Sequence, residues 1–193
     1  MITAIKLKAH IKDIVQIQTG IYSNPVLNGE VYYIQARHFN QNREFISTVT
    51  PDLPLNDKLQ KYFLQKGDVL VASKGFDHFA VDYKEIIKPA VASSMFIVLR
   101  IENKEQILPE FLAWYINHPK TQTKLSGTSK GTALPSLRKN DIGDLEIMIP
   151  TIQIQKAILE LHALRQKEKT LNKQIETLRE TQLQQQLINA IKS

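Results

Sequence analysis

Residues 35–43 hold the densest group of side chains able to read nucleic-acid bases. This segment follows a short apolar run and is rich in arginine, histidine and amides. Arginine can form bidentate hydrogen bonds to guanine, and an Asn or Gln amide can do the same to adenine. Each such pair is worth about 1–3 kcal/mol of discrimination against the wrong base. The pattern predicts a base-reading loop, with a plain polar surface loop as the alternative. The predicted base contacts are Arg37, His38, Asn40, Gln41 and Arg43.

Two further segments carry residues suited to phosphate. Lys74 precedes Gly75 at the end of an apolar run, and the small residues 128–132 surround one lysine. The stretch 120–139 is basic and holds no acidic residue. Hydroxyls, lysines and backbone N–H groups commonly hold phosphates. A strand-to-loop turn, a flexible turn and a solvated basic face remain the respective alternatives. The predicted phosphate contacts are Lys74, Ser129, Lys130 and Lys139.

The sequence lacks the motifs on which catalysis usually depends. There is no cysteine, and the five histidines are scattered without an H-E-x-x-H pair. The segment 127–132 lacks the G-K-[ST] ending of a phosphate-binding P-loop. Triplets such as Asp82-x-Lys84 resemble nuclease fragments but are common by chance. We therefore expect a chain that is not an enzyme and holds no metal or cofactor, with a metal-dependent nuclease as the less favoured alternative.

The charge balance favours a polyanionic partner. The chain of 193 residues carries 25 Lys and Arg against 19 Asp and Glu, a net charge of +6. No apolar run is long enough for a membrane-spanning helix, and the amino-terminal residues lack a signal-peptide pattern. The sequence thus predicts a cytoplasmic protein without a membrane partner.

Short apolar runs separated by turn residues predict an α+β domain before Pro150, with a mostly antiparallel sheet. A proline followed by apolar residues spaced three and four apart predicts a helix over 109–116. A turn or short helix is expected over 135–142. This domain is assigned residues 1–150. The predicted strands are Val31–Ile34, Asp68–Ala72, Met95–Leu99 and Leu145–Ile149.

The remaining residues, 151–193, predict one long helix from Ile152 to Ile191, because they contain neither glycine nor proline. An apolar seam with steps of three and four is typical of a coiled coil and carries one charged member, Glu168. The seam then changes phase before Leu183. A partner helix is expected, with folding back onto the chain's own domain as the alternative. The predicted dimerisation residues are Leu161, Leu164, Leu171, Ile175 and Leu178.

Several motifs in order resemble the DNA-specificity (S) subunit of type I restriction–modification systems. Gly131–Leu137 and a strand ending at Pro150 precede an apolar, Gln-containing helix start at Ile152–Ile158. Upstream, Lys66-Gly67-Asp68-Val69-Leu70 and the helix Pro109–Ile116 also match that family's pattern. The chain departs from the pattern at Thr151 and Ile154, where the family usually has a second proline and a glutamate.

The resemblance implies a target-recognition domain that reads double-stranded DNA, followed by a spacer and dimerisation helix. It implies half a specificity subunit, because the family usually has two such domains and two helices forming an antiparallel coiled coil. A natural half that pairs with itself and a fragment or phase-variable truncation of a longer subunit both remain open. Its implied partners are a modification (methyltransferase) subunit, a restriction subunit and a second copy of the chain. S-adenosylmethionine and ATP would bind those subunits. A coiled-coil adaptor without DNA binding remains the alternative.

Overall fold

We describe the protein from a computed structural model. The structure describes residues 7–40, 42–46, 49–75, 78–128 and 136–192, with only the backbone at Thr128 and Lys192. The chain divides into two compact units, residues 1–155 and 156–193.

In the described part of the first unit, eight strands form three sheets. The strands are β1 (Leu7–His10), β2 (Val15–Thr19), β3 (Tyr32–Ile34), β4 (Val69–Ala72), β5 (Ala80–Asp82), β6 (Ala90–Ala92), β7 (Phe96–Ile101) and β8 (Glu146–Ile149). The largest sheet has the order β2-β7-β4-β5, and all its pairs are antiparallel. β1 pairs with β8 antiparallel, whereas β3 pairs with β6 parallel. The predicted α+β class with a mostly antiparallel sheet is confirmed.

The helices of the described residues are α1 (Asp57–Gln60), α2 (Pro109–Asn117), α3 (Pro119–Thr128), α4 (Lys139–Gly143) and α5 (Ile152–Lys192), and short 3-10 turns cover Ile11–Asp13 and Ala36–His38. The sequence predictions missed α3, because Pro119 reads as the end of a helix. A proline is equally suited to the first turn of a new helix, where no backbone N–H is required.

The two middle strands of the largest sheet, β4 and β7, are buried because they are apolar on both faces. Every residue of β4 is buried, and Phe96–Leu99 of β7 are buried beside it. Asp68, just before β4, is buried as well. Its carboxylate accepts hydrogen bonds from Arg100 Nε (2.9 Å) and Nη2 (2.7 Å) and from the backbone N–H of Gln65 (2.8 Å). The bonds to Asp68 raise the pKa of Arg100. They also tie the turn before β4 to β7.

A side-chain amide covers the edge of β5. Asn117 Nδ2 donates to the Ala80 carbonyl (2.7 Å), and the Ala80 N–H donates to Asn117 Oδ1 (2.8 Å). The amide thus pairs with Ala80 as another strand would, which covers the sheet edge at that residue. Gln122 of α3 donates to the carbonyls of His78 (2.9 Å) and Ile116 (2.8 Å). The corner between α2 and α3 therefore holds the chain where it enters β5.

The first turn of α5 belongs to the first unit and is anchored by Gln155. This side chain has no exposed surface. Its Nε2 donates to the carbonyls of Gln106 and Pro150 (both 2.8 Å), and its Oε1 accepts from the Leu108 N–H (2.8 Å). Leu108 is the residue that precedes α2. One amide thus joins the starts of two helices.

The second unit is the remainder of α5. All five predicted dimerisation residues are exposed, from 46% at Ile175 to 70% at Leu161. Ion pairs between residues three apart, Arg165 with Glu168 and Glu176 with Arg179, lie along the helix. No helix among the described residues is both long and apolar enough to cross a membrane.

We expect Gln155→Ala to lower the free energy of unfolding by about 3 kcal/mol, because three buried backbone groups lose their partner. Urea denaturation of the full chain measures this change. The matched control is Gln153→Ala, which alters an exposed glutamine in the same helical turn. Equal stability of the two variants would show that the Gln155 bonds contribute nothing net.

Candidate nucleic-acid interface

The segments that follow β2, β3 and β4 all lie beside one turn, residues 93–95, between β6 and β7. The Ser93 N–H donates to the Ile34 carbonyl (2.8 Å) at the end of β3. The Ser94 N–H donates to the Ile21 carbonyl (2.6 Å), just after β2. The Met95 carbonyl accepts from the Ser73 N–H (2.8 Å), just after β4. We call the segments 20–22, 34–38, 73–75 and 93–95 the loop edge.

The predicted base-reading segment is built around Asn40. Its Oδ1 accepts from the N–H groups of Asn42 (2.9 Å) and Glu44 (3.0 Å), and its Nδ2 donates to the Glu44 carboxylate (2.9 Å). Arg43 has a positive φ of 65°, which a tight turn requires here. Asn40 is exposed, but its side chain shapes the turn. This geometry favours a positioning contribution from Asn40 over direct base contact.

Four phenylalanines attach this turn to the sheet. The ring centroid of Phe39 lies 5.6 Å from Phe45, 5.8 Å from Phe79 and 5.9 Å from Phe96, all edge to face. Such pairs add about 0.5–1.5 kcal/mol each beyond burial. Phe96 begins β7, and Phe79 lies in the connection between β4 and β5. The cluster therefore places the base-reading segment next to the connection that carries Lys74.

Arg37 and His38 lie in the 3-10 turn directly after β3. The Gln35 N–H donates to His38 Nδ1 (3.1 Å), and Arg37 Nε lies 3.3 Å from His38 Nε2. Partial burial and then the positive charge of Arg37 lower the pKa of His38. His38 is therefore mainly neutral at pH 7. A neutral imidazole suits a base edge better than a phosphate, whereas the exposed Arg37 suits either.

Lys74 is exposed at the loop edge and forms an isolated antiparallel bridge with Ser136. The Leu137 N–H donates to the Ser73 carbonyl (2.7 Å) beside that bridge. Gly75 has a positive φ of 104°, so its backbone conformation, rather than crowding, requires glycine. The bridge brings Lys74 beside the segment that leads into α4 at Lys139. Two of the predicted phosphate residues thus lie on neighbouring segments.

Three predicted residues, Gln41, Ser129 and Lys130, lie outside the described part of the chain. The sequence predictions missed Phe79, whose apolar ring carries no chemical signal, and Arg138, which precedes the predicted Lys139. Arg138 is exposed, and its N–H donates to the Asp141 carboxylate (2.7 Å). Its position beside Lys139, as the other member of a consecutive basic pair, could have indicated it.

Asp82 and Lys84, the residues of the nuclease alternative, form an ion pair with each other. Lys84 Nζ lies 3.9 Å from the Asp82 carboxylate, and burial raises the pKa of Asp82. Among the described residues, no group of three or more histidines and carboxylates is placed to hold a metal ion.

The family model for the type I restriction modification DNA specificity domain matches residues 8–180. The chain belongs to this family. The family's description names it a DNA specificity domain. A search of curated proteins found no match.

Solved structures share the fold of this specificity domain. The S subunit from M. genitalium is 13% identical with a TM-score of 0.58, covering 86% of this chain and 40% of that one. The HsdS subunit from Thermoanaerobacter tengcongensis is 17% identical with a TM-score of 0.65, covering 87% and 44%. A chain from a type I R-M complex-assembly study is 16% identical with a TM-score of 0.67 and the same coverage. This chain thus spans less than half of each matched chain.

Proposed function

We propose that this chain is a half-length specificity subunit that reads one part of a split site in double-stranded DNA. The observation that carries the proposal is the convergence of two predicted DNA-contacting segments at the loop edge. The aromatic cluster holds the base-reading turn there, and the Ser136 bridge holds Lys74 beside the start of α4. Family membership supports DNA as the ligand of that edge.

The two segments divide the work of recognition. Lys74, Ser129, Lys130 and Lys139 contact phosphates, which sets the position of the domain on the duplex. Arg37, His38, Gln41 and Arg43 contact base edges, while Asn40 keeps their turn in shape. Arg138 adds a cation to the phosphate set because it precedes Lys139 at the start of α4.

The first unit, in this proposal, brings partner subunits to DNA without acting on it. A modification subunit carries adenine methyl transfer and binds S-adenosylmethionine, and a restriction subunit carries cleavage and uses ATP. This chain itself is proposed to be non-catalytic and to work in the cytoplasm, where its DNA substrate lies.

The second unit is proposed to join two copies of the chain. The exposed seam of α5 repeats at heptad spacing, and burying it needs another helix. Glu168 occupies one seam position. In a parallel pair the two Glu168 side chains would meet, whereas an antiparallel pair separates them. An antiparallel twofold dimer therefore fits, and it places identical domains on the two halves of the DNA site.

A coiled-coil adaptor without DNA binding is the second candidate, and the same exposed seam favours it. The two differ in their response to duplex DNA. A specificity subunit binds duplex with an affinity that falls steeply with salt, whereas an adaptor shows no such binding.

We expect Lys74→Ala to weaken duplex binding evenly across sequences and to reduce the salt slope by about one unit, because one phosphate contact is lost. Fluorescence anisotropy over a salt series measures both quantities. The matched control is Lys66→Ala, which removes the same charge from the other end of β4. Altered base preference with an unchanged slope would contradict the phosphate assignment.

We expect the double change Leu171→Asp and Leu178→Asp to convert the dimer to a monomer, because two charges per helix would be buried in the seam. Light scattering on the full chain measures the mass. Thr170→Asp with Thr177→Asp is the matched control, since it adds the same charges at the same spacing one residue away. A control that also dissociates, or a wild type that is already monomeric, would count against the seam.

The function itself is tested by mapping N6-methyladenine by long-read sequencing in cells expressing a modification subunit with and without this chain. We expect a new interrupted palindrome only when the chain is present, because a twofold dimer reads the same sequence twice. A motif with two unrelated halves would refute self-pairing. The absence of any new motif, together with salt-independent behaviour on duplex, would favour the adaptor.

A further inference from the structure

Tyr22 is a large aromatic side chain that the structure leaves exposed beside the loop edge. Its side chain is 82% exposed, although the residues on both sides of it are only partly exposed. Lone exposed apolar residues are normal on protein surfaces. What distinguishes Tyr22 is the backbone that carries it.

That backbone is held at several points. The N–H groups of Gly20 and Ile21 donate to the carbonyls of Phe96 and Ala92 (both 2.9 Å), and the Ile21 carbonyl accepts from Ser94. A side chain at position 20 would collide with the carbonyl oxygens of Ala92 and Ser93. The segment therefore packs closely against the turn between β6 and β7. The backbone that carries the Tyr22 side chain is held in place.

The hydroxyl of the buried Tyr33 side chain bonds to the backbone on both sides of Tyr22. Tyr33 Oη donates to the Ile21 carbonyl (2.9 Å) and accepts from the Ser23 N–H (3.3 Å). Burial raises the pKa of Tyr33, so this hydroxyl keeps the proton it donates. Tyr22 is thus bracketed by two held residues. An exposed aromatic on a fixed backbone loses little conformational freedom on binding, which favours an intermolecular contact.

The surroundings indicate which ligand Tyr22 meets. Ser94, which bonds to Ile21, is followed by Met95, which bonds to the segment carrying Lys74. Residues 20–28 contain no charged side chain. The position therefore continues the proposed DNA surface and offers neutral, apolar contact where Lys74 and Arg37 offer charge. In a duplex the base faces are stacked on one another, so an aromatic ring packs against sugars and thymine methyl groups, and burying it there is worth roughly tenfold in affinity or more.

We propose that Tyr22 is a further DNA-contacting residue, whose ring packs against the bases or sugars of the target duplex. This inference rests on the proposed function of the loop edge. Tyr22 supplies affinity through apolar contact, and it leaves the number of neutralised phosphates unchanged.

The test compares Tyr22→Ala and Tyr22→Phe with wild type, using a random-sequence DNA duplex pool and the duplexes selected from it. Fluorescence anisotropy over a salt series gives affinity and salt slope. We expect Tyr22→Ala to bind selected duplex about tenfold more weakly with an unchanged slope, because buried apolar surface is lost, and Tyr22→Phe to keep nearly all the affinity. Ile86→Ala is the matched control, because Ile86 is 65% exposed in the connection between β5 and β6, away from the loop edge.

The possible outcomes separate this inference from the proposed function. If wild type binds duplex and Tyr22→Ala binds as tightly as Ile86→Ala, Tyr22 is not a DNA contact, while the proposed function stands. If Tyr22→Ala lowers the salt slope, the contact is electrostatic and the assignment of an apolar contact is wrong. If wild type shows no salt-dependent duplex binding, both proposals fall. If Tyr22→Ala keeps DNA affinity but loses association with a modification subunit, Tyr22 contacts protein instead.

Discussion

The pairing of backbone groups around residues 93–95 is the constraint on which the architecture of the loop edge depends. Buried N–H and C=O groups must find partners, and strand ends leave several of them without a ladder neighbour. The turn between β6 and β7 supplies those partners to the chain leaving β2, β3 and β4. Gly20 is required there because a Cβ would strike two carbonyl oxygens. Three connections with different sequences are thereby made to emerge at one place, which is the geometry a composite recognition surface needs.

Side chains that hold the surface are separate from those available to a ligand. Phe39, Phe45 and Phe79 turn inward and attach the base-reading turn to the core, while Asn40 satisfies its backbone. Arg37 and Lys74 remain exposed beside them. Replacing an exposed residue would therefore leave the backbone of this surface in place, because aromatic contacts and the bonds of Asn40 hold the turn.

The sequence predicted those strands and helices whose conformation is determined by residues within the element itself. The apolar runs at β4 and β7 and the proline-started α2 were placed within one or two residues, because periodicity and Pro at a helix start report directly on backbone conformation. α3 was missed because a proline both ends one helix and begins the next. The proximity of the segments around Phe39 and Lys74 could not be read from spacing, because it depends on contact between rings far apart in sequence. The pair of hydrogen bonds between Asn117 and Ala80 was not predicted for the same reason. No local sequence pattern indicates that a side-chain amide will bond to a strand edge.

Gln155 anchors the first turn of α5 within the first unit. Its side-chain amide makes three hydrogen bonds to backbone groups, which a side chain with a single donor or acceptor could not all satisfy. Because the amide has no exposed surface, water cannot replace those bonds when they break. The start of α5 is thus held by polar contacts inside the first unit, while the apolar seam farther along the helix is exposed.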